Sequence, residues 1–145
     1  NTLKVVVSYK DIKKHIVQIK GQFPKAQYYN NHTGSRFTAD AKSMDLLFRV
    51  MKEEGLTFVD SRTTADTQAG IMAKKYGTKL FSRDVFLDNS YEPLAIREKL
   101  KEAVEIAKRV GVAIAICHPH KNTLDVLARA KPILKDVDVV YLKDL

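Results

Sequence analysis

Five apolar, strand-like runs constrain this chain more than any other feature. Each is followed at once by a polar cluster. Tyr28-Tyr29 leads into Asn30-Asn31-His32, Leu56-Thr57-Phe58-Val59 into Asp60-Ser61-Arg62, and Lys79-Leu80-Phe81 into Ser82-Arg83-Asp84. Val112-Ala113-Ile114-Ala115-Ile116-Cys117 leads into His118-Pro119-His120, and Val137-Asp138-Val139-Val140-Tyr141 into Leu142-Lys143-Asp144. Helical patterns separate the runs. Strands that alternate with helices pair in parallel, which puts their C-terminal ends on one edge. Ligands bind at that edge in such folds, and three of the four histidines fall there.

The intervening patterns predict helices over 8–20, 40–54, 65–76, 93–110 and 122–131, and strands over 26–31, 56–60, 79–82, 112–117 and 137–141. Ile12, Ile16 and Ile19 recur at helical spacing before Gly21. Met44, Leu47, Phe48 and Met51 build one face of the second helix, which Asp40 or Ser43 can cap and Gly55 can end. Thr63-Thr64-Ala65-Asp66 reads as the cap of the third helix, closed by Gly77. Residues 83–93 read as a long loop. Glu92-Pro93 opens the longest helix, where proline is tolerated, and Leu94, Leu100, Val104, Ile106 and Ala107 are its expected packing residues. The fold class is therefore α/β, either an open parallel sheet or part of a (β/α) barrel. A complete eight-unit barrel needs about 200 residues or more, and this chain has 145.

Length fits one domain, 1–145. With 45% hydrophobic and 29% charged residues the composition is globular. No apolar run approaches the roughly 18 residues of a transmembrane helix. One cysteine excludes an internal disulfide framework, and Cys117 reads as a small core residue. The net charge of +8 is spread over many helices rather than gathered in one arm. It reads as a solvated surface, and no nucleic-acid partner is expected.

The residues that carry chemistry follow the strands. An imidazole at His32 suits a zinc-type cation, and Gly34 lets the backbone turn closely beside it. Asn31 and Ser35 are candidate substrate-binding residues. In His118-Pro119-His120 a stiff proline separates two imidazoles, which share one face of an extended segment and can approach one centre. The pairs Asp60 with Arg62 and Arg83 with Asp84 set carboxylates beside guanidiniums, which either support a site or staple loops. Asp88 and Asn89 are assigned to loop structure, and His15 to the surface of the first helix. The chain contains no glycine-rich phosphate loop, no G-x-S-x-G elbow and no Cys-x-x-Cys pair.

The string Asn31-His32-Thr33-Gly34-Ser35-Arg36-Phe37-Thr38-Ala39-Asp40 resembles the signature of the divergent polysaccharide deacetylase family. Asp60-Ser61-Arg62-Thr63-Thr64, Arg83-Asp84-Val85-Phe86-Leu87-Asp88-Asn89 and Ile114-Ala115-Ile116-Cys117-His118-Pro119-His120 agree in the expected order. The resemblance implies kinship with the carbohydrate esterase family 4 deacetylases, a distorted (β/α) barrel and a metal site of Asp-His-His type. His32 matches the first histidine of the relatives' H-[ST]-x-x-H motif, and Arg36 stands where the second would fall. His118 occupies the place of the superfamily's general acid. His118 or His120 would also replace the absent metal ligand, so the expected metal set is His32 with one of these two, His118 first. An early paired-aspartate motif has no counterpart, since Asp11 lies within a helix pattern.

Taken together, these features lead us to expect the later part of a metal-dependent N-acetyl-glycan deacetylase domain. A third metal ligand, an aspartate, would come from an upstream segment. His118 or His120 would act as acid, with Asp60, Arg62, Arg83 and Asp84 in support. The resemblance further implies a periplasmic or cell-envelope location, and a cut barrel implies a completing segment or a homo-oligomer. The rival expectation is a non-catalytic envelope module on the same fold that binds glycan or protein.

Overall fold

The computed structural model describes residues 8–31 and 34–145. It forms two compact units, one running to Ser82 and one from Arg83 to Leu145.

In the first unit, Ser8 caps α1 (Tyr9–Gln22), its hydroxyl accepting from the Asp11 amide at 3.2 Å. Ile12 and Ile16 are the buried stripe of this helix. The strand β1 (Tyr28–Asn30) is followed by a short helix, α2 (Ser35–Ala39). The Asp40 carboxylate then caps α3 (Ala41–Glu53), accepting from the Ser43 amide at 2.7 Å. Met44, Leu47, Phe48 and Met51 are buried, as their spacing predicts. The unit continues through β2 (Thr57–Asp60), α4 (Ala69–Tyr76) and β3 (Leu80–Ser82). The three strands form one parallel sheet in the order β1-β2-β3, with Asn30 opposite Val59 and Asp60 opposite Ser82. Phe48 on α3 meets Phe58 on β2 with ring centroids 5.4 Å apart. Burial of one such side chain stabilises by about 1.5–3 kcal/mol. Gly77 ends α4 at φ +61, a left-handed backbone that glycine adopts without strain.

In the second unit, β4 (Val85–Phe86) precedes α5 (Pro93–Val110), and β5 (Ala115–Ile116) precedes α6 (Lys121–Ala128). The two strands pair in parallel, Val85 with Ala115 and Phe86 with Ile116. Val85, Leu87, Ile96, Leu100, Ala103 and Val126 are buried together between the strands and the helices.

The sequence reading differs from this structure in several places, including the unpredicted α2 and a β5 shortened from 112–117 to Ala115–Ile116. Residues 83–93 hold β4, because Val85 and Phe86 are long enough to pair with β5 though too short to show an apolar period. Residues 137–141 are not a strand. Val139 is 79% exposed, and a single 3₁₀ turn, Leu142–Asp144, follows. The third helix begins at Ala69 rather than 65, with the Thr67 hydroxyl donating to Asp60 and accepting from the Ala69 amide at 3.3 Å. On α5, Ile96, Leu100, Ala103 and Val104 face the core, and Leu94 lies exposed in the first turn.

Candidate metal and acid–base centre

The parallel pairing of β4 and β5 brings the residues that follow them side by side. The Leu87 amide still donates to the Ile116 carbonyl at 2.9 Å, extending the ladder one step past β4. The next residues on each strand are Asp88 and, after Cys117, His118. Asp88 is 4% exposed. Its Oδ2 accepts from the His118 amide at 2.7 Å and from the Thr123 hydroxyl at 3.0 Å. Its Oδ1 faces His118 Nδ1 at 3.2 Å. One carboxylate thus fixes the backbone and the ring of the same histidine, and ties both to α6 through Thr123.

Burial alone pushes the Asp88 carboxyl upward. The hydrogen bonds from the His118 amide, the Thr123 hydroxyl and the His118 ring outweigh it, and the group sits below the usual carboxylate range. Asp88 therefore stays ionised near neutral pH. An anionic acceptor at Nδ1 selects the tautomer protonated there, which leaves Nε2 as the nitrogen that takes or gives a proton. The His118 side chain is 36% exposed, so the ring is oriented from behind and open in front.

His120 stands two residues on, exposed at the N-cap of α6. The backbone between the histidines is extended, and the His118 and His120 rings lie on one side with centroids 5.4 Å apart. Phe86 lies 5.4 Å from the His118 ring, and Tyr91 meets His120 edge-on at 4.7 Å. Asp88, His118 and His120 each offer a ligand atom within 4.8 Å of the others. Two imidazoles and a carboxylate form the donor set of a catalytic zinc-type site. Because Asp88 holds Nδ1 of His118, the free Nε2 of that ring can either join His120 in holding a cation or exchange a proton, but not both at once. A carboxylate behind a ligating imidazole is also what such sites use to orient it.

The remaining sequence-predicted residues occupy different places. His32 lies outside the described residues, so its convergence with His118 does too. Asn31 donates to the Thr38 hydroxyl, which in turn donates to the Gly34 carbonyl at 2.8 Å. A side chain at Gly34 would collide with the Asn31 amide group and displace it from its bond to Thr38. Ser35 is exposed at the start of α2. Asp60 is buried, with Oδ1 accepting from the Arg62 amide at 2.8 Å and Oδ2 from the Thr67 hydroxyl at 2.9 Å. It holds Arg62 at φ +49, uncommon for a side chain of that size. The Arg83 guanidinium stacks over Phe86 at 5.6 Å. Asp84 accepts from the Ile114 amide at 2.8 Å, at the opening end of β4 and β5 rather than at the Asp88–His118 end. Cys117 is half-buried, and burial, then the Asp88 charge, pushes its thiol up.

Asp88 is the residue of this centre that the sequence reading placed in loop structure instead. The signal was its place two residues beyond an apolar Val85-Phe86 pair, which the polar Asp88-Asn89-Ser90 run obscured.

The divergent polysaccharide deacetylase family model matches residues 1–145. An uncharacterized protein of Haemophilus influenzae is 39% identical over 117 residues, covering 80% of this chain and 42% of the relative. The uncharacterized protein YibQ of Escherichia coli is 37% identical over 127 residues, covering 88% and 40%. The chain thus spans about two fifths of the length of these curated relatives. The crystal structure of an uncharacterized protein from Agrobacterium tumefaciens matches with a TM-score of 0.76 at 23% identity, over 86% of this chain and 52% of that one. That likeness concerns the fold alone. With parallel strands alternating with helices, and a family model matched over its whole length, the chain belongs to the divergent polysaccharide deacetylase family.

Proposed function

We propose that this chain is the later part of a metal-dependent deacetylase domain acting on N-acetylated glycans, with His118 as its proton-transfer residue. The observation that carries the reading is the buried Asp88 carboxylate bonded to both the amide and the ring of His118. A surface histidine needs no such support, whereas a general acid must present one nitrogen in one tautomer. Amide hydrolysis ends with a leaving amine that must be protonated. In its imidazolium form, with Nδ1–H held by Asp88, His118 delivers that proton from Nε2. A divalent cation of the zinc type, when bound, supplies Lewis acidity toward the acetyl carbonyl and toward water. His120 is the imidazole beside His118 that would help hold it. The base and a further carboxylate ligand would come from an upstream segment. The relatives' greater length supports this, as does the exposed apolar surface at Val110, Val112, Val139 and Tyr141. On the family's character we place the protein in the cell envelope.

The test is acetate release from an N-acetylglucosamine oligomer by the full-length protein, with and without added zinc. His118→Ala and Asp88→Asn should each lower turnover by about 10²–10⁴-fold. Release that persists in His118→Ala would overturn the assignment.

A second reading is a non-catalytic glycan- or protein-binding module. It is favoured by Arg36, exposed on α2 where the family motif places a second histidine. Oligomer binding without acetate release, whatever metal is added, would establish it.

A further inference from the structure

We propose that Tyr91 is a sugar-binding residue, its ring stacking on the apolar face of an N-acetylhexosamine unit beside the histidine pair. The inference rests on the deacetylase reading and adds a binding residue to it. Phe86, His118, His120 and Tyr91 form a row in which each ring meets the next, at 5.4, 5.4 and 4.7 Å between centroids. The row runs from the sheet outward. Its inner end is half-buried and its outer end, Tyr91, is 60% exposed.

An aromatic ring left in water gains nothing from folding, yet this one is firmly rooted. The Tyr91 carbonyl accepts from Asn122 Nδ2 at 2.9 Å, which ties it to α6. The Glu92 amide donates to the Ser90 hydroxyl at 3.3 Å, and Pro93 opens α5 immediately after. Both neighbours of Tyr91 are thereby constrained. Among the described residues, Phe23 and Tyr141 are also large exposed aromatics, but neither touches a histidine of the centre. Tyr91 alone of the three meets it.

The ligand class follows from the chemistry. A pyranose ring carries hydroxyls around its rim and C–H groups on its faces. It therefore suits a flat ring with little side-chain freedom, the same property that makes tyrosine a favoured contact residue elsewhere. A sugar seated on Tyr91 lies next to His120, and the following unit lies next to His118.

The experiment uses the full-length protein and an N-acetylglucosamine tetramer, with binding by calorimetry and turnover by acetate release. Covering about 60 Å² of ring at roughly 25 cal/mol per Å² corresponds to about tenfold in affinity. Tyr91→Ala and Tyr91→Leu should raise Kd and KM by about that factor. The loss should fall on KM rather than kcat, because the ring touches sugar and not the reacting atoms. Tyr91→Phe keeps the ring and should restore affinity to within about threefold. Circular dichroism checks that each variant is folded. His118-dependent turnover with Kd and KM unmoved in Tyr91→Ala would overturn the stacking role while leaving the deacetylase reading intact. A Tyr91→Phe variant as weak as Tyr91→Ala would also overturn it, assigning the effect to the hydroxyl. If the wild type neither binds the tetramer nor releases acetate from it, the deacetylase reading fails and this inference falls with it.

Discussion

Replacing Asp88 by asparagine changes one atom, and the structure specifies the consequence. The Oδ2 position receives two donors, the His118 amide and the Thr123 hydroxyl. The amide oxygen of asparagine must take that position, because its NH₂ group there would face two donors. The NH₂ group then falls opposite His118 Nδ1, where Oδ1 stood at 3.2 Å. Nδ1 must become an acceptor, so the neutral ring carries its proton on Nε2 instead. The fold survives, since two of the three hydrogen bonds persist in neutral form and the third persists with its direction reversed. Loss of the charge from these bonds costs about 1–3 kcal/mol. Asp88→Ala is harsher. It leaves the His118 amide and the fully buried Thr123 hydroxyl without their acceptor, at about 1–3 kcal/mol for each.

Two measurements check this reasoning. Urea unfolding should rank wild type above Asp88→Asn and Asp88→Ala lowest. Two-bond ¹H–¹⁵N spectra of the imidazoles should show His118 protonated at Nδ1 in the wild type and at Nε2 in Asp88→Asn. An unchanged tautomer in the asparagine variant would refute the claim that Asp88 sets it. The proton-transfer role of His118 would then lose its structural basis.

Other expectations follow from the same coordinates. Phe48→Ala, in the core of the first unit, should destabilise by about 3–5 kcal/mol in urea unfolding. Arg62→Val should be less stable than Arg62→Gly by about 1–2 kcal/mol in the same assay, because a β-branched residue resists φ +49 and glycine does not. Asp84→Ala should lower stability by about 0.5–1.5 kcal/mol through the freed Ile114 amide. It should leave the His118 tautomer unmoved. The Tyr9 hydroxyl, with Lys13 and Arg49, holds Glu53 down to about 2, against roughly 4.3 for an unfolded glutamate. Its stabilising contribution is thus complete above pH of about 4.3 and lost as pH falls toward 2. Glu53→Gln should flatten the acid limb of a stability–pH curve in that window.

Much of the fold was legible because its signals are local. Helices α1, α3 and α5 carry long apolar stripes and end at glycine or at a change of period, so their bounds lie within a few residues of the sequence reading. The strands β1, β2 and β3 were found for the same reason. Where the reading differed, the deciding interaction was not local. Val85-Phe86 becomes a strand only because β5 lies ready to pair with it. Val139-Val140-Tyr141 has an apolar composition suited to a strand, but among the described residues it finds no partner strand and stays exposed. Composition supplies the propensity for extended structure, and pairing decides whether it is used.

The candidate site divides along the same line. His118-Pro119-His120 was visible because two imidazoles so spaced are rare and follow an apolar run. Asp88 was not, because its role depends on β4 placing it 30 residues away from the histidine it serves. Once β4 is recognised, the assignment becomes nearly forced. A carboxylate one step beyond a parallel strand, facing the residues that leave the neighbouring strand, meets their amides at the edge where the ladder ends. Those amides need an acceptor, and a buried carboxylate needs donors. The His118 amide and Asp88 satisfy each other there, and the ring of the same histidine is drawn in with them. Backbone hydrogen bonding thus fixes the geometry of the centre first, and the orientation of the imidazole follows from it. It also explains why Asp60, two strand-ends earlier in the chain, is equally buried yet engages a backbone amide and a hydroxyl rather than a histidine. The residue that follows it by two is Arg62, whose amide closes the turn, so the same device there shapes a loop instead of orienting an imidazole.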